Sequence, residues 1–311
     1  MDLKQIKYFL AVSEHGSVAS AAASLNLAQP SLSQQIKNLE NSLDTELFTR
    51  TSRGVTLTLA GKQFKSHCNE ILALVSSAVE EVRSVGSNIS GSVVIGFPSS
   101  VSMVLSVPLQ ETICHEHPEI NLRLVESMSG FINQMLENGD LDMAILYENN
   151  NLRNFDHKYL LRESLKFYAA ADTWPFESLP NEPIELKSLG NLEFVFPSTD
   201  HGTRNLVTRA FKLAGCPVKI FAEMDSLPQI KSLVARGSAY TILPPAATYD
   251  FESRRELVSA PIINPTIDRS VFFVKNLKKP HSAAMLKVEE VIHSVVIELV
   301  SRGLWQGSRI Q

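Results

Sequence analysis

Apolar and polar positions follow two different rhythms along this chain, mainly helical up to about residue 88 and alternating strand with helix from residue 92. Residues 17–40, SVASAAASLNLAQPSLSQQIKNLE, predict two short helices with a tight break. Ser17 can cap the first, and Ala19, Ala21, Ala22 and Ala23 fill its close-packed face. Asn26 and Leu27 make the turn, and a second helix begins at Ser31, just after Pro30. It turns Leu32, Ile36 and Leu39 inward and offers Ser31, Ser33, Gln34, Lys37 and Asn38 on its other face. Short hydrogen-bonding groups of this kind suit base edges and phosphate oxygens. Residues 47–59, LFTRTSRGVTLTL, predict a hairpin turning at Arg53-Gly54, its second strand alternating through Val55, Leu57 and Leu59. A wing with Arg50 and Arg53 beside a recognition helix sets phosphate contacts next to base contacts. The candidate DNA residues are Ser17, Gln29, Pro30, Ser31, Ser33, Gln34, Lys37, Arg50 and Arg53.

Residues 60–88 predict one long helix of about 40 Å. Phe64, Cys68, Ile71, Val75, Ala78, Val82 and Val85 follow one another at alternating spacings of four and three, the repeat of a dimer seam. The competing reading packs this helix on its own domain. A Gly/Ser-rich stretch around residues 86–91 ends it. Beyond lie strands near residues 93–96, 121–125, 142–146, 194–196, 218–221, 241–243 and 270–275. Helices fall between them at residues 103–116, 131–137, 203–214 and 227–236, and a last helix at 283–300 buries Val288, Ile292, Val295 and Leu299. Such alternation implies α/β architecture with a parallel sheet.

Composition narrows the classes. The 311 residues leave room for two or three domains, and 44% hydrophobic content with a mean hydropathy near zero supports filled cores. No signal peptide or apolar run of membrane-spanning length is read, and three separated cysteines suit a reducing cytoplasm. Net charge is −4, and residues 1–60 hold five Lys/Arg against five Asp/Glu. Cations must therefore be placed rather than abundant, with Glu40, Asp44 and Glu46 turned away from phosphates. So weakly basic a module favours binding by more than one copy.

Several motifs make the chain resemble LysR-type transcriptional regulators. They are Ser17 with Ala21 and Ala22, Gln29 to Ser33, Leu39-Glu40, Leu47-Phe48 with Arg50, and Thr58 with Ala60-Gly61. LAQPSLSQQ, RGVTLTLAGK and GDLDMAILY also resemble the nitrogen-assimilation-control subgroup. The resemblance implies a winged helix-turn-helix over residues 1–59, a linker and dimerisation helix over 60–88, and an effector-binding domain over 92–311. That domain would be two-lobed and like a periplasmic solute-binding protein. Lobe one takes about 92–164 and 267–303, lobe two about 165–266. The resemblance further implies promoter DNA as partner, contact with RNA polymerase, a homodimer assembling to a homotetramer, and no membrane.

In such a fold a ligand sits between the lobes, at strand C-terminal ends and helix starts. By the family pattern Ser99, Ser100 and Val101 carry over as effector contacts. Ser127 and Ser129 follow the second strand, Thr199 and His201 the first strand of lobe two, and Ser226 closes the ring. Hydroxyls and free backbone N–H groups favour an anion, a small carboxylate, bordered by Phe97, Met128 and Phe131, with Arg204 the arginine best placed to assist. Cys114-His115-Glu116-His117 has metal-like spacing but falls where the family has a variable exposed turn, so neither metal nor cofactor is expected. No Gly-x-Ser-x-Gly motif supports a hydrolase. Two alternatives stand beside the effector-responsive regulator. One is a regulator controlled by its abundance alone. The other is a small-molecule binding protein or enzyme without a specific DNA target.

Overall fold

The computed structural model describes residues 1–51, 54–84, 89–147, 152–199, 201–276 and 281–308. Arg53 and residues 85–88 lie outside them. Two compact units emerge, one built on Met1–Arg83 and the other on Ser84–Leu277 with His281–Gln311.

In the first unit, α1 (Leu3–His15) begins with a reciprocal cap. The Asp2 carboxylate accepts from the Gln5 N–H at 2.8 Å, and the Gln5 side-chain oxygen accepts from the Asp2 N–H at 3.1 Å. It ends at Gly16 in the left-handed region. Ser17 caps α2 (Val18–Ser24), as the sequence suggests. Only Ala21 and Ala22 are buried there; Ala19 and Ala23 face outward, because a two-turn helix has room for one narrow inner stripe. The recognition helix α3 (Gln29–Leu43) starts two residues earlier than expected. Pro30 fits its first turn, where the missing N–H would have no acceptor. Leu32, Ile36 and Leu39 are buried.

The wing is an antiparallel pair, β1 (Phe48–Thr51) and β2 (Gly54–Leu57). Leu59 does not extend it; it opens α4 (Leu59–Ser84) and is 78% exposed. The Thr58 hydroxyl accepts from the Gly61 N–H at 2.9 Å and donates to the Glu46 carbonyl at 2.8 Å, which starts the helix there. Gly54 has φ 133°, and a Cβ on it would lie 2.2 Å from the Gly16 carbonyl oxygen, which accepts from the Val55 N–H. The Phe9 ring packs against Phe48 and Phe64 at 5.1 and 4.9 Å.

The apolar stripe of α4 divides. Phe64, Cys68 and Ile71 turn into the core around Phe9, so the first half of the expected seam packs on its own domain. Past Leu72 the helix outruns that small core. Val75, Ala78 and Val82 are exposed, with Leu74 and Val79 beside them.

In the second unit the elements are β3 (Gly91–Phe97), α5 (Ser99–Glu116), β4 (Ile120–Glu126), α6 (Ser129–Glu137), β5 (Met143–Tyr147) and β6 (Phe155–Ser164). After the first crossing come β7 (Lys166–Ala170), β8 (Ile184–Glu185), β9 (Glu193–Phe196), α7 (Gly202–Leu213), β10 (Lys219–Glu223), α8 (Leu227–Ala235), β11 (Thr241–Leu243), α9 (Tyr249–Ser253) and β12 (Leu257–Ile263). The chain returns through β13 (Asp268–Asn276) and ends in α10 (Ala283–Ser301). One lobe holds the sheet β4-β3-β5-β13-β6; the other holds β11-β7-β12-β8 and the pair β10-β9.

The sheets are mixed rather than parallel throughout. β3 pairs parallel with β4 and β5, whereas β13 runs antiparallel to both β5 and β6. The crossing strands β6, β7 and β12 escape the sequence reading because their burial does not alternate cleanly, as in the pattern of β6, where Tyr159 to Leu161 are successively inward-leaning. Two main cores fill the lobes, and Val288, Ile292, Val295 and Leu299 of α10 lie in the first as expected. Behind α10 the chain tucks back: Trp305 is fully buried, and Ser308 and Arg162 exchange backbone hydrogen bonds at 2.8 and 2.9 Å.

Candidate functional site

Two surfaces bring the expected residues together. On the first unit, Gln29, Pro30, Ser31, Gln34 and Lys37 are exposed along the start of α3, and Ser33 is half-buried. Arg50 is exposed on β1 opposite Val55. The Gln34 amide donates to the Asn38 side-chain oxygen at 2.8 Å, so both are held in one orientation. Between α3 and the wing runs a groove of about 400 Å³ lined by Ser33, Lys37, Thr49 and Arg50. Glu40 and Glu46, expected to turn away from phosphates, line it as well. Glu40 has a structural task there. Its Oε1 accepts from the N–H groups of Leu47 and Phe48 at 2.8 and 3.1 Å and so pins the wing to the recognition helix. The Ser17 hydroxyl is occupied as a cap.

The second surface is the cleft between the lobes, where β3, β4 and β9 deliver the chain to helix starts. Ser99 and Ser100 form the first turn of α5, which begins four residues earlier than expected, so they are helical rather than loop residues. The cleft is lined by Ser99, Ser100, Met128, His201, Thr203 and Asp225, with Leu227, Ile230, Leu243 and Ala247 supplying apolar wall. It encloses about 30 Å³, little more than one water.

Other expected contacts fall elsewhere. Val101 is buried in the lobe-one core, because the third position of α5 faces the sheet. Phe97 is buried in the same core and Phe131 is exposed. Ser127, Ser129, Thr199 and Ser226 sit at their helix starts or turns but are not among the residues lining this cleft. Arg204 points to Phe196 and Glu223, its guanidinium 5.2 Å from the ring centroid and 3.8 Å from the carboxylate.

The arginine that reaches the site is Arg269 on β13. It is directly across from Glu163 of β6, and both are buried. Its Nε donates to Glu163 Oε1 at 2.6 Å, Nη2 to Ser100 Oγ at 2.9 Å and Nη1 to Thr203 Oγ1 at 3.2 Å. The guanidinium lies 4.0 Å from the centroid of the Tyr147 ring, and Tyr147 shares a 2.9 Å hydrogen bond with Ser100. The other Glu163 oxygen accepts from the Trp305 indole N–H at 3.0 Å. One ion pair thus ties the helix starts of both lobes to the crossing strands. Burial is the largest influence and opposes the Arg269 charge, but the Glu163 carboxylate and the Tyr147 hydroxyl together hold the pKa above its ordinary value. Burial pushes the Tyr147 hydroxyl up.

The sequence did carry a signal for this pair. Arg269 shares the inward face of its strand with Val271 and Phe273, and a charge in an alternating apolar row needs a buried partner.

Across the cleft, His201 caps α7, its Nδ1 accepting from the Thr203 N–H at 3.3 Å. Burial first, then Arg269, lower its pKa, while Asp225 pulls the other way. Asp225 accepts from the Ser198 N–H at 2.9 Å, which lowers its own pKa. Among the described residues no group of His, Cys, Asp and Glu could hold a metal ion, and Cys114 accepts a hydrogen bond from the Gln110 amide. No described helix is long and apolar enough to cross a membrane.

A helix-turn-helix with a wing followed by a two-lobed α/β unit defines a ligand-responsive DNA-binding class. Residues 3–62 match the bacterial regulatory helix-turn-helix of the lysR family, and residues 86–296 match the LysR substrate binding domain. The chain belongs to the LysR family of transcriptional regulators: it has a DNA-binding domain and an effector-binding domain, and it is not an enzyme. It is 31% identical to the nitrogen assimilation regulatory protein Nac of Klebsiella aerogenes, over 100% of this chain and 99% of that one. It is also 31% identical to the transcriptional dual regulator GltC of Bacillus subtilis, over 88% and 91%. The Nac-like subgroup resemblance therefore holds along the whole length. Solved structures share the fold. A full-length OxyR variant from Pseudomonas aeruginosa superposes with TM-score 0.75 at 21% identity, covering 95% of this chain and 94% of that one. CbnR in complex with its target DNA gives 0.66 at 19%, covering 95% and 100%.

Proposed function

We propose that this regulator reads a partly palindromic promoter site in adjacent major grooves, about 34 Å apart, through the exposed start of α3 in each of two copies. Gln29, Ser33, Gln34 and Lys37 read or approach bases, and Arg50 and Arg53 hold phosphates. It works in the cytoplasm as a homodimer that assembles to a homotetramer, and it contacts RNA polymerase. The dimer forms along the second half of the linker helix, at Val75, Ala78 and Val82. The carrying observation is the reading face itself: short polar side chains at a helix start, beside a wing with an exposed arginine. Gln34→Ala should weaken binding to the cognate site by about 1–3 kcal/mol and leave random DNA unchanged. Fluorescence anisotropy on both DNAs checks this, and equal affinities for wild type and variant at the cognate site would move the reading face elsewhere.

The regulatory signal is a small carboxylate-bearing ligand held in the inter-lobe cleft by Ser99, Ser100 and His201. Its binding shifts how the lobes are set and hence the geometry offered to DNA. The narrowness of the cleft favours a second reading, a regulator governed by abundance alone. Thermal-shift measurements with small carboxylates separate the two: no stabilisation by any of them favours the second.

A further inference from the structure

The charge balance of the cleft does not suit a simple anion. Among the described residues that line it, Asp225 is the one carrying a full charge, and the Ser198 N–H fixes that carboxylate in place. Two neighbouring cations are fully engaged, and no cation is among the described residues that line the cleft. Arg269 has its three nitrogens on Glu163, Ser100 and Thr203, and its charge is matched by Glu163. Lys231 is buried and held by both Asp250 oxygens at 2.7 and 2.9 Å. Arg204 lies outside the lining, 3.8 Å from the Glu223 carboxylate, with one buried guanidinium nitrogen left without a partner. His201 spends Nδ1 as an acceptor, so its neutral form offers an Nε2–H donor. One wall therefore presents donors, from the Ser99 hydroxyl and the Ser99 and Ser100 amides at the start of α5, whereas the next two amides, of Val101 and Ser102, are taken by the Pro98 carbonyl. The other wall presents a fixed carboxylate. A lone carboxylate ligand would satisfy the first wall and be repelled by the second; a ligand bearing an ammonium beside its carboxylate satisfies both.

We propose that the cleft binds a free α-amino acid, its carboxylate at the start of α5 and its ammonium on Asp225. This rests on the carboxylate-binding reading of the same cleft. Leu227, Ile230, Leu243 and Met128 give the side chain an apolar wall to pack on. Because the enclosed volume is about 30 Å³, entry parts the lobes at this point, and small side chains are preferred.

The test is a thermal-shift panel on the full chain at constant ionic strength. It compares the protein amino acids with the matching carboxylic acids lacking the amino group and the matching amines lacking the carboxylate. Wild type, Asp225→Asn and Ser99→Ala are measured. At least one amino acid should stabilise wild type, while its deaminated and decarboxylated counterparts should not. Asp225→Asn keeps an acceptor for Ser198, so its unliganded melting temperature should match wild type, and its apparent affinity should fall roughly tenfold or more. If carboxylic acids stabilise as well as amino acids, or Asp225→Asn binds the amino acid unchanged, the ammonium assignment is overturned and the carboxylate reading stands. If neither acids nor amino acids stabilise the wild type, both readings are overturned.

Discussion

Each unit of this regulator uses a carboxylate to join separate elements, and the two do it differently. Glu40 joins α3 to β1 across seven and eight residues of chain, is half-buried, and meets only backbone N–H groups. Glu163 reaches Arg269 across 106 residues and Trp305 across 142, is fully buried, and carries a charged partner. The first is a local clip on a folded motif. The second is where the crossing strands, the lobes and the C-terminal tail are registered against one another. A carboxylate joined to neutral donors can be removed at the cost of its hydrogen bonds. One joined to a buried guanidinium leaves a charge behind.

That contrast has a first, large test. Glu163→Ala should cost about 3–5 kcal/mol because Arg269 is left buried and unpaired. Glu163→Leu with Arg269→Met together should recover most of the loss, since no charge stays buried. Denaturant melts followed by tryptophan fluorescence read both; a double variant as unstable as the single one would break the argument. In the first unit, Gly54→Ala should cost about 1–3 kcal/mol, since the new Cβ meets the Gly16 carbonyl oxygen in a backbone region alanine avoids. Its wing should lift from the α1–α2 turn, so DNA affinity should fall with stability in parallel titrations. Glu40→Ala should cost about 1–3 kcal/mol, less than Glu163→Ala, through two unpaired backbone N–H groups. A larger loss than Glu163→Ala would reverse the ranking of the two clips.

The smallest effect is chemical. Burial pushes the Cys68 thiol up to about 12, so it should resist alkylation at pH 8 while exposed Cys114 reacts. The sign is clear: protection of Cys68 should vanish only on unfolding. Mass spectrometry of the labelled protein checks it. Labelling of folded Cys68 would contradict its place in the core with Phe64 and Ile71.

The linker helix shows how far a sequence pattern carries. Its apolar repeat is continuous from Phe64 to Val82, and nothing in the spacing marks where one partner gives way to another. The structure divides it at Leu72 because the helix-turn-helix core is only about three helical turns deep along α4. An Ile71→Asp variant therefore tests folding, and Val82→Asp, exposed in one chain, tests association. The inter-lobe cleft is similar. Helix starts after strands could be read from the pattern, which located Ser99, Ser100 and His201. Which of them face the cleft depends on small rotations of each first turn, and those set Val101 in the core instead.

The sequence by itself determined what is local and periodic: the helix-turn-helix with its Ser17 cap, the inward rows of α3 and α10, the wing, and the alternation of strands and helices beyond residue 92. These follow from propensity, capping and burial on one face, interactions closed within a few residues. Tertiary structure alone decided that Arg269 joins Ser100 to Thr203, that Glu163 neutralises it, and that Asp225 lines the cleft. Those outcomes depend on strand register and on elements more than a hundred residues apart, where a charge is placed by what is left to pair with it once both cores have closed.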